Sequence, residues 1–167
     1  MPRQRPTRRT PHELPRTVTP DGRRLTVRLL RPADREDLVS MYARFGECDR
    51  AQGVPPAGEA AIDDWLDGLL DGEHVVAVSR GRLVGHAGLL PCGDCAELLV
   101  FVDPRSRGVG VGTRLLRSLL ARHDRREAGT VRLSVERDNE AAIALYRTFD
   151  FEICSRQRRE LVMERRG

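Results

Sequence analysis

The residues Asp103-Pro-Arg-Ser-Arg-Gly-Val-Gly-Val-Gly-Thr113 carry the densest chemical signal in this chain. Glycines at 108, 110 and 112 remove three Cβ atoms within five residues, so backbone N–H groups there can approach an anion closely. The apolar run Glu97–Val102 before them predicts a buried strand. After them, Val111, Leu115, Leu116, Leu119 and Leu120 fall on one helical stripe. A helix N-terminus behind such a turn favours phosphate, by about 0.3–2 kcal/mol for the dipole alone. Taken by itself, the loop reads equally well as a tight turn with close helix–strand packing. A dinucleotide-binding fold is excluded, because G-x-G-x-G is not G-x-G-x-x-G and only 55 residues follow Gly112.

A second constellation begins 32 residues beyond Arg107, at Asn139-Glu-Ala-Ala-Ile-Ala-Leu-Tyr146-Arg-Thr-Phe-Asp-Phe151. Ala142, Leu145, Tyr146 and Phe149 share one helical face, and Asn139 and Tyr146 stand about 10 Å apart along it. Read plainly, Asn139 caps a helix and Tyr146 packs in the core.

The elements that must position these residues follow from periodicity. A strand is expected at Leu25–Leu30, then a helix from Pro32 to about Phe45, a Gly/Pro-rich loop over 46–58, and a helix from about Glu59 to Gly72. His74–Ser79 and Arg82–Leu90 read as a hairpin, followed by Glu97–Val102. A helix from about Gly110 to Arg125, a strand Thr130–Val135, a short helix Glu140–Thr148 and a final pair Phe151–Gln157 and Glu160–Met163 complete the chain. The order β-α-α-β-β-β-α-β-α-β-β makes an α+β domain with a central mixed, mostly antiparallel sheet flanked by about four helices.

Composition bounds the rest. The 167 residues suit one domain, able to bury roughly 70% of its unfolded surface. Residues 1–24 hold seven Arg against Glu13 and Asp21, whereas residues 25–167 are nearly neutral. The basic signal therefore belongs to a Pro/Arg-rich tail, read as a flexible terminus ahead of a domain at 25–167, with nucleic acid an improbable partner. There is no apolar run of membrane-spanning length and no secretory h-region, which sets a cytoplasmic expectation. All 29 basic residues are Arg, which removes a Walker A lysine and Schiff-base chemistry. Cys92-Gly-Asp-Cys95 has redox or zinc spacing, but no second pair supports a metal, and a hairpin turn is the better reading.

Together the two motifs resemble the GNAT superfamily of acetyl-CoA-dependent N-acetyltransferases. The resembling pattern is strand-V-D-P-x-x-R-G-x-G-x-G-helix, then N-x-x-A-I-x-L-Y-x-x-x-x-F, over about Glu97–Phe151. The resemblance implies acetyl-CoA as co-substrate, no metal, and transfer of the acetyl group to a primary amine. The amides of Arg107, Gly108, Val109, Gly110, Val111, Gly112 and Thr113 are expected to hold the pyrophosphate. Val100, Phe101 and Val102 would pair with the pantetheine arm and stabilise the oxyanion, Asn139 would touch the cofactor, and Tyr146 would protonate the departing thiolate. A base must also take the ammonium proton. Glu97 is the favoured candidate, since some family members carry a carboxylate there. Others place a base where this chain has Ser134, which cannot serve, and His86 and Glu136 are weaker candidates. The family usually has Gly where Asp150 stands; Asp tolerates the left-handed helix end at about 1 kcal/mol.

Eight acids between residues 46 and 73 face Arg50 alone. They either attract a cationic acceptor, small molecule or protein amine, or form the solvated face of a helix. The alternative to an enzyme is a non-catalytic acyl-CoA-binding sensor or partner domain of the same fold. A homodimer is compatible with the resemblance.

Overall fold

The computed structural model describes residues 17–50, 54–126 and 129–167. Its eight strands form one sheet in the order β1-β2-β3-β4-β5-β6-β8-β7. The elements are β1 (Thr17–Val18), β2 (Arg24–Leu29), α1 (Arg35–Tyr42), α2 (Glu59–Leu69), β3 (Glu73–Ser79), β4 (Arg82–Cys92), β5 (Cys95–Val102), α3 (Val111–Asp124), β6 (Thr130–Glu136), α4 (Glu140–Arg147), β7 (Glu152–Arg156) and β8 (Glu160–Arg165). Every neighbouring pair is antiparallel except β5 and β6.

Two differences from the sequence reading concern the N-terminal region. The described chain has one strand more, β1, which pairs Thr17 with Leu25 and Val18 with Arg24. β1 and the turn after it lie inside the segment read as tail, and Arg114 Nη2 on α3 donates to the Val18 carbonyl at 2.9 Å; residues 1–16 lie outside the described residues. The first helix is also shorter than periodicity suggests. Pro32–Asp34 forms a 3-10 turn and α1 ends at Tyr42, three residues before Phe45. Here Asp34 accepts both Arg28 guanidinium nitrogens, at 2.6 and 2.7 Å, and the Arg31 amide at 2.7 Å, tying the turn to β2.

Two apolar layers cover the sheet. On one face α3 lays down the predicted stripe across β2–β5, and Leu115, Leu116 and Leu119 are completely buried in the core there. Each such burial contributes roughly 1.5–3 kcal/mol. On the other face α1 and α2 bury Leu38, Met41, Tyr42, Ile62 and Leu66. Side chains alternate along β5, so Leu98, Val100 and Val102 join the α3 layer while Leu99 and Phe101 join the α1/α2 layer. The Cys92–Cys95 stretch is the expected turn: Cys92 and Cys95 are register partners across Gly93-Asp94, and both thiols are free.

Candidate active site

The parallel strands β5 and β6 part company. Only Cys95, Ala96 and Glu97 pair with Thr130, Val131 and Arg132. From Leu98 to Val102, β5 is paired with β4 alone, while β6 continues to Glu136 paired with β8. The result is a wedge that opens toward Val102, whose β5 edge has no strand partner from Leu98 on; at its mouth Arg107 Nε donates to the Val102 carbonyl at 3.3 Å. Such an edge accepts an extended, amide-bearing ligand as an added strand.

The Gly-rich loop lies where the wedge opens. Asp103, which is buried, anchors its start: the carboxylate accepts the Arg105 amide at 3.0 Å and pairs with Arg44 Nε at 2.6 Å. The Asp103 amide donates back to Val84 at 3.0 Å. Arg107 turns away from the loop, bonding Asp49 at 2.5 Å and lying 5.6 Å above the Phe45 ring. Gly108 and Gly110 then adopt left-handed φ values of +75° and +82°, which a side chain rarely tolerates. The first helical bond of α3 is Arg114 N–H to the Gly110 carbonyl, so the amides of residues 108–113 donate to no described acceptor. A row of orphan amides at a helix N-terminus fits the phosphates of a nucleotide-like ligand.

The first turn of α3, the end of β5 and helix α4 converge at Gly112. A Cβ built there would stand 3.2 Å from Leu145 Cδ2 and 3.7 Å from Val102 Cγ2. Next to Leu145, Tyr146 packs into the α3 layer, its ring edge-on to Phe151 with centroids 5.9 Å apart. Burial pushes its hydroxyl up to about 12, so it stays protonated at neutral pH. Asn139 caps α4 by accepting the Ala142 amide at 3.1 Å. Asp150 takes the left-handed φ of +64° expected where the family has Gly, and the Phe151 amide closes onto the Tyr146 carbonyl at 3.3 Å.

Glu97 occupies the last paired position before the wedge opens. It is exposed, its carboxylate has no described partner, and β5 alternation puts it on the face of Leu99 and Phe101. Ser134 is exposed on β6, and Glu136 is half-buried, register partner of Glu160. His86 is not available as a base. It is completely buried, with both ring nitrogens engaged by Tyr42 and His74, and burial followed by the neighbouring His74 drives it down to about 3. The acidic stretch is not a free wall either. Arg35 bonds Asp63 and Asp67 at 2.7 Å each, and Asp49 is held by Arg107. No local sequence pattern announced these pairings, whose partners lie 28 to 58 residues apart.

Among the described residues no helix is long and apolar enough to cross a membrane, and no group of three or more His, Cys, Asp or Glu is placed to hold a metal.

Comparison with known proteins agrees with this architecture. Residues 36–151 match the model of the acetyltransferase (GNAT) family. The N-alpha-acetyltransferase RimI of Mycobacterium tuberculosis is 42% identical over 147 residues, covering 85% of this chain and 87% of that protein. Other curated relatives are longer: the chain spans 36% of a Mycobacterium leprae protein of uncharacterised function and 49% of the mycothiol acetyltransferase of Saccharomonospora viridis. Among solved structures, the ribosomal-protein-alanine N-acetyltransferase of Brucella melitensis superposes with a TM-score of 0.68 at 24% identity, over 84% of this chain and 99% of that one. The PaiA N-acetyltransferase of Thermoplasma acidophilum, crystallised with coenzyme A, gives 0.65 at 20% identity, over 86% and 99%. A chain with this sheet, this loop and this match is an acyltransferase belonging to the GNAT family.

Proposed function

We propose that this protein transfers the acetyl group of acetyl-CoA to the α-amine of a protein N-terminus by direct attack. The observation that carries the reading is the wedge between β5 and β6 with the amides of residues 108–113, which donate to no described acceptor, where it opens. Those amides, with that of Arg107, hold the pyrophosphate, the open edge of Val100–Val102 pairs with the pantetheine amides, and Asn139 flanks the cofactor from the start of α4. The co-substrate supplies an activated thioester carbonyl.

The residues of the chain do the remaining work. Glu97 takes a proton from the ammonium and frees the nitrogen lone pair, a service typically worth about 10²–10⁴-fold. Backbone N–H groups at the end of β5 stabilise charge developing on the carbonyl oxygen, at about 3–4 kcal/mol per donor. Tyr146, protonated at working pH, gives its proton to the leaving sulfur. The N-terminal acceptor class is supported by the RimI relative, whose match extends over most of both chains.

The test is calorimetric titration of acetyl-CoA into the wild type and Gly110→Trp, followed by acetylation of peptides with free and blocked N-termini. Micromolar binding that the variant loses, with transfer only to free N-termini, is expected. An absence of wild-type binding overturns the transferase reading, and transfer to lysine side chains or small amines alone overturns the acceptor class.

A further inference from the structure

Beneath α1, on the face of the sheet that carries Glu97, three ionisable side chains sit in an otherwise apolar layer. Tyr42 and His86 have no exposed surface, and His74 is 5% exposed. They form a chain: Tyr42 Oη to His86 Nδ1 at 2.6 Å, His86 Nε2 to His74 Nδ1 at 3.0 Å, and His74 Nε2 to the Asp71 carbonyl at 3.2 Å. The two imidazoles stack with centroids 5.0 Å apart. Room for the stack comes from Gly88, where a Cβ would lie 2.2 Å from His74 Nδ1.

The far end of the chain fixes its direction. A carbonyl only accepts, so His74 Nε2 must carry hydrogen. With both rings neutral, His74 Nδ1 then accepts from His86 Nε2–H, and His86 Nδ1 accepts from the Tyr42 hydroxyl. One arrangement of protons satisfies every atom. Burial lowers the affinity of both rings for a second proton and raises that of the Tyr42 oxygen, which keeps all three groups neutral. Net proton conduction is therefore a poor use for this chain, because it would create a buried imidazolium beside a buried tyrosinate. His74 also borders a cleft with Arg31, Arg35, Glu73, Arg122 and Arg126.

The other end of the chain shapes a wall. Tyr42 is edge-on to Trp65 at 5.1 Å and to Phe101 at 5.3 Å, and Phe101 is the β5 register partner of His86. We propose that His74 and His86 are positioning residues, a one-way hydrogen-bond relay that orients Tyr42 and through it the Trp65–Phe101 wall beside which the acceptor amine docks. Naming that wall the acceptor's rests on the transferase function proposed above; the relay itself does not.

Long-range ¹H–¹⁵N spectra of the full chain test the relay, and the emission of Trp65, the sole tryptophan, tests the wall. Both histidines are expected as Nε2–H tautomers at pH 7, and His86 is expected not to titrate between pH 5.5 and 8. Tyr42→Phe keeps the ring and removes the donor. It should shift Trp65 emission and raise the KM for a free-N-terminus peptide at least fivefold, with acetyl-CoA affinity within twofold of wild type. His86→Gln, which can accept at one end and donate at the other, should keep the KM near wild type, whereas His86→Phe should raise it as Tyr42→Phe does. An Nδ1–H tautomer on either ring overturns the relay. Wild-type emission and KM in Tyr42→Phe overturn its positioning role. If the wild type transfers no acetyl group at all, the proposed function fails, while the tautomer and emission readings still decide the relay and the wall.

Discussion

Glu97 on β5 and Arg132 on β6 form the last register pair before the two parallel strands separate. Arg132 does not spend its charge on Glu97. Its Nε bonds Glu164 on β8 at 2.9 Å, which leaves the Glu97 carboxylate without a described partner at the base of the wedge. A carboxylate with no guanidinium of its own is free to accept a proton from an incoming ammonium. Glu97→Gln should therefore lower kcat by about 10²–10⁴-fold at neutral pH while leaving the acetyl-CoA dissociation constant within twofold. Steady-state kinetics beside calorimetry checks this, and a kcat near wild type removes Glu97 from the mechanism.

Tyr146 yields a prediction with a definite sign. Its hydroxyl is pushed up to about 12 by burial, so the protonated form persists well above the ordinary value near 10. Rate profiles should show no falling alkaline limb assignable to Tyr146 below about pH 11. Tyr146→Phe should lose about 10²-fold or more in kcat at every pH tested. A limb near pH 10 that disappears in the variant would contradict the burial account.

The Gly-rich loop before α3 separates stability from binding. Gly110 has a left-handed φ, and a Cβ there would come within 2.7 Å of Arg114 Nη1, the movable end of a long side chain. Gly110→Ala should cost about 1 kcal/mol, a fall of roughly 2–4 °C in Tm for a chain this size. Gly110→Trp should stay folded yet lose acetyl-CoA affinity at least a hundredfold. Thermal melts and calorimetry on the same samples decide.

His86 makes stability depend on acid. Its folded value of about 3 lies below the ordinary 6.5, so between those limits the unfolded chain binds more protons and stability falls as pH falls. The full effect is of order 5 kcal/mol, present above pH 6.5 and lost progressively toward pH 3. Urea denaturation at pH 7 and pH 4.5 should show a large loss in wild type and a smaller one in His86→Phe. Equal losses would mean that other groups dominate.

The acidic face of α2 separates two readings of the same residues. Asp63 and Asp67 are both held by Arg35, exposed pairs worth about 0–1 kcal/mol. Asp63→Asn and Asp67→Asn should leave acceptor KM unchanged and lower stability only slightly. A rise in KM confined to cationic acceptors would favour the charged-wall reading of these acids over the solvated-face one.

Much of this protein was legible in its residues before any fold was in view. The α3 stripe of Val111, Leu115, Leu116, Leu119 and Leu120 is buried as the 3.6-residue period requires, and β5 alternates across the sheet as the period of two requires. Such periods record which face meets the core and need no knowledge of what lies opposite. The left-handed glycines of the loop and the strained Asp150 were likewise local facts, set by backbone sterics. The partners were not local. That Arg107 leaves the loop for Asp49 and Phe45, that Arg35 quenches the acidic helix, and that His86 stacks on His74 depend on register and on how helices cross the sheet. Side-chain pairing across strands follows from which residues the topology makes neighbours, and no window of adjacent residues states it. The wedge itself has that origin. Glu97 and Arg132 could each be read as strand residues, but only the packed sheet decides that pairing stops with them.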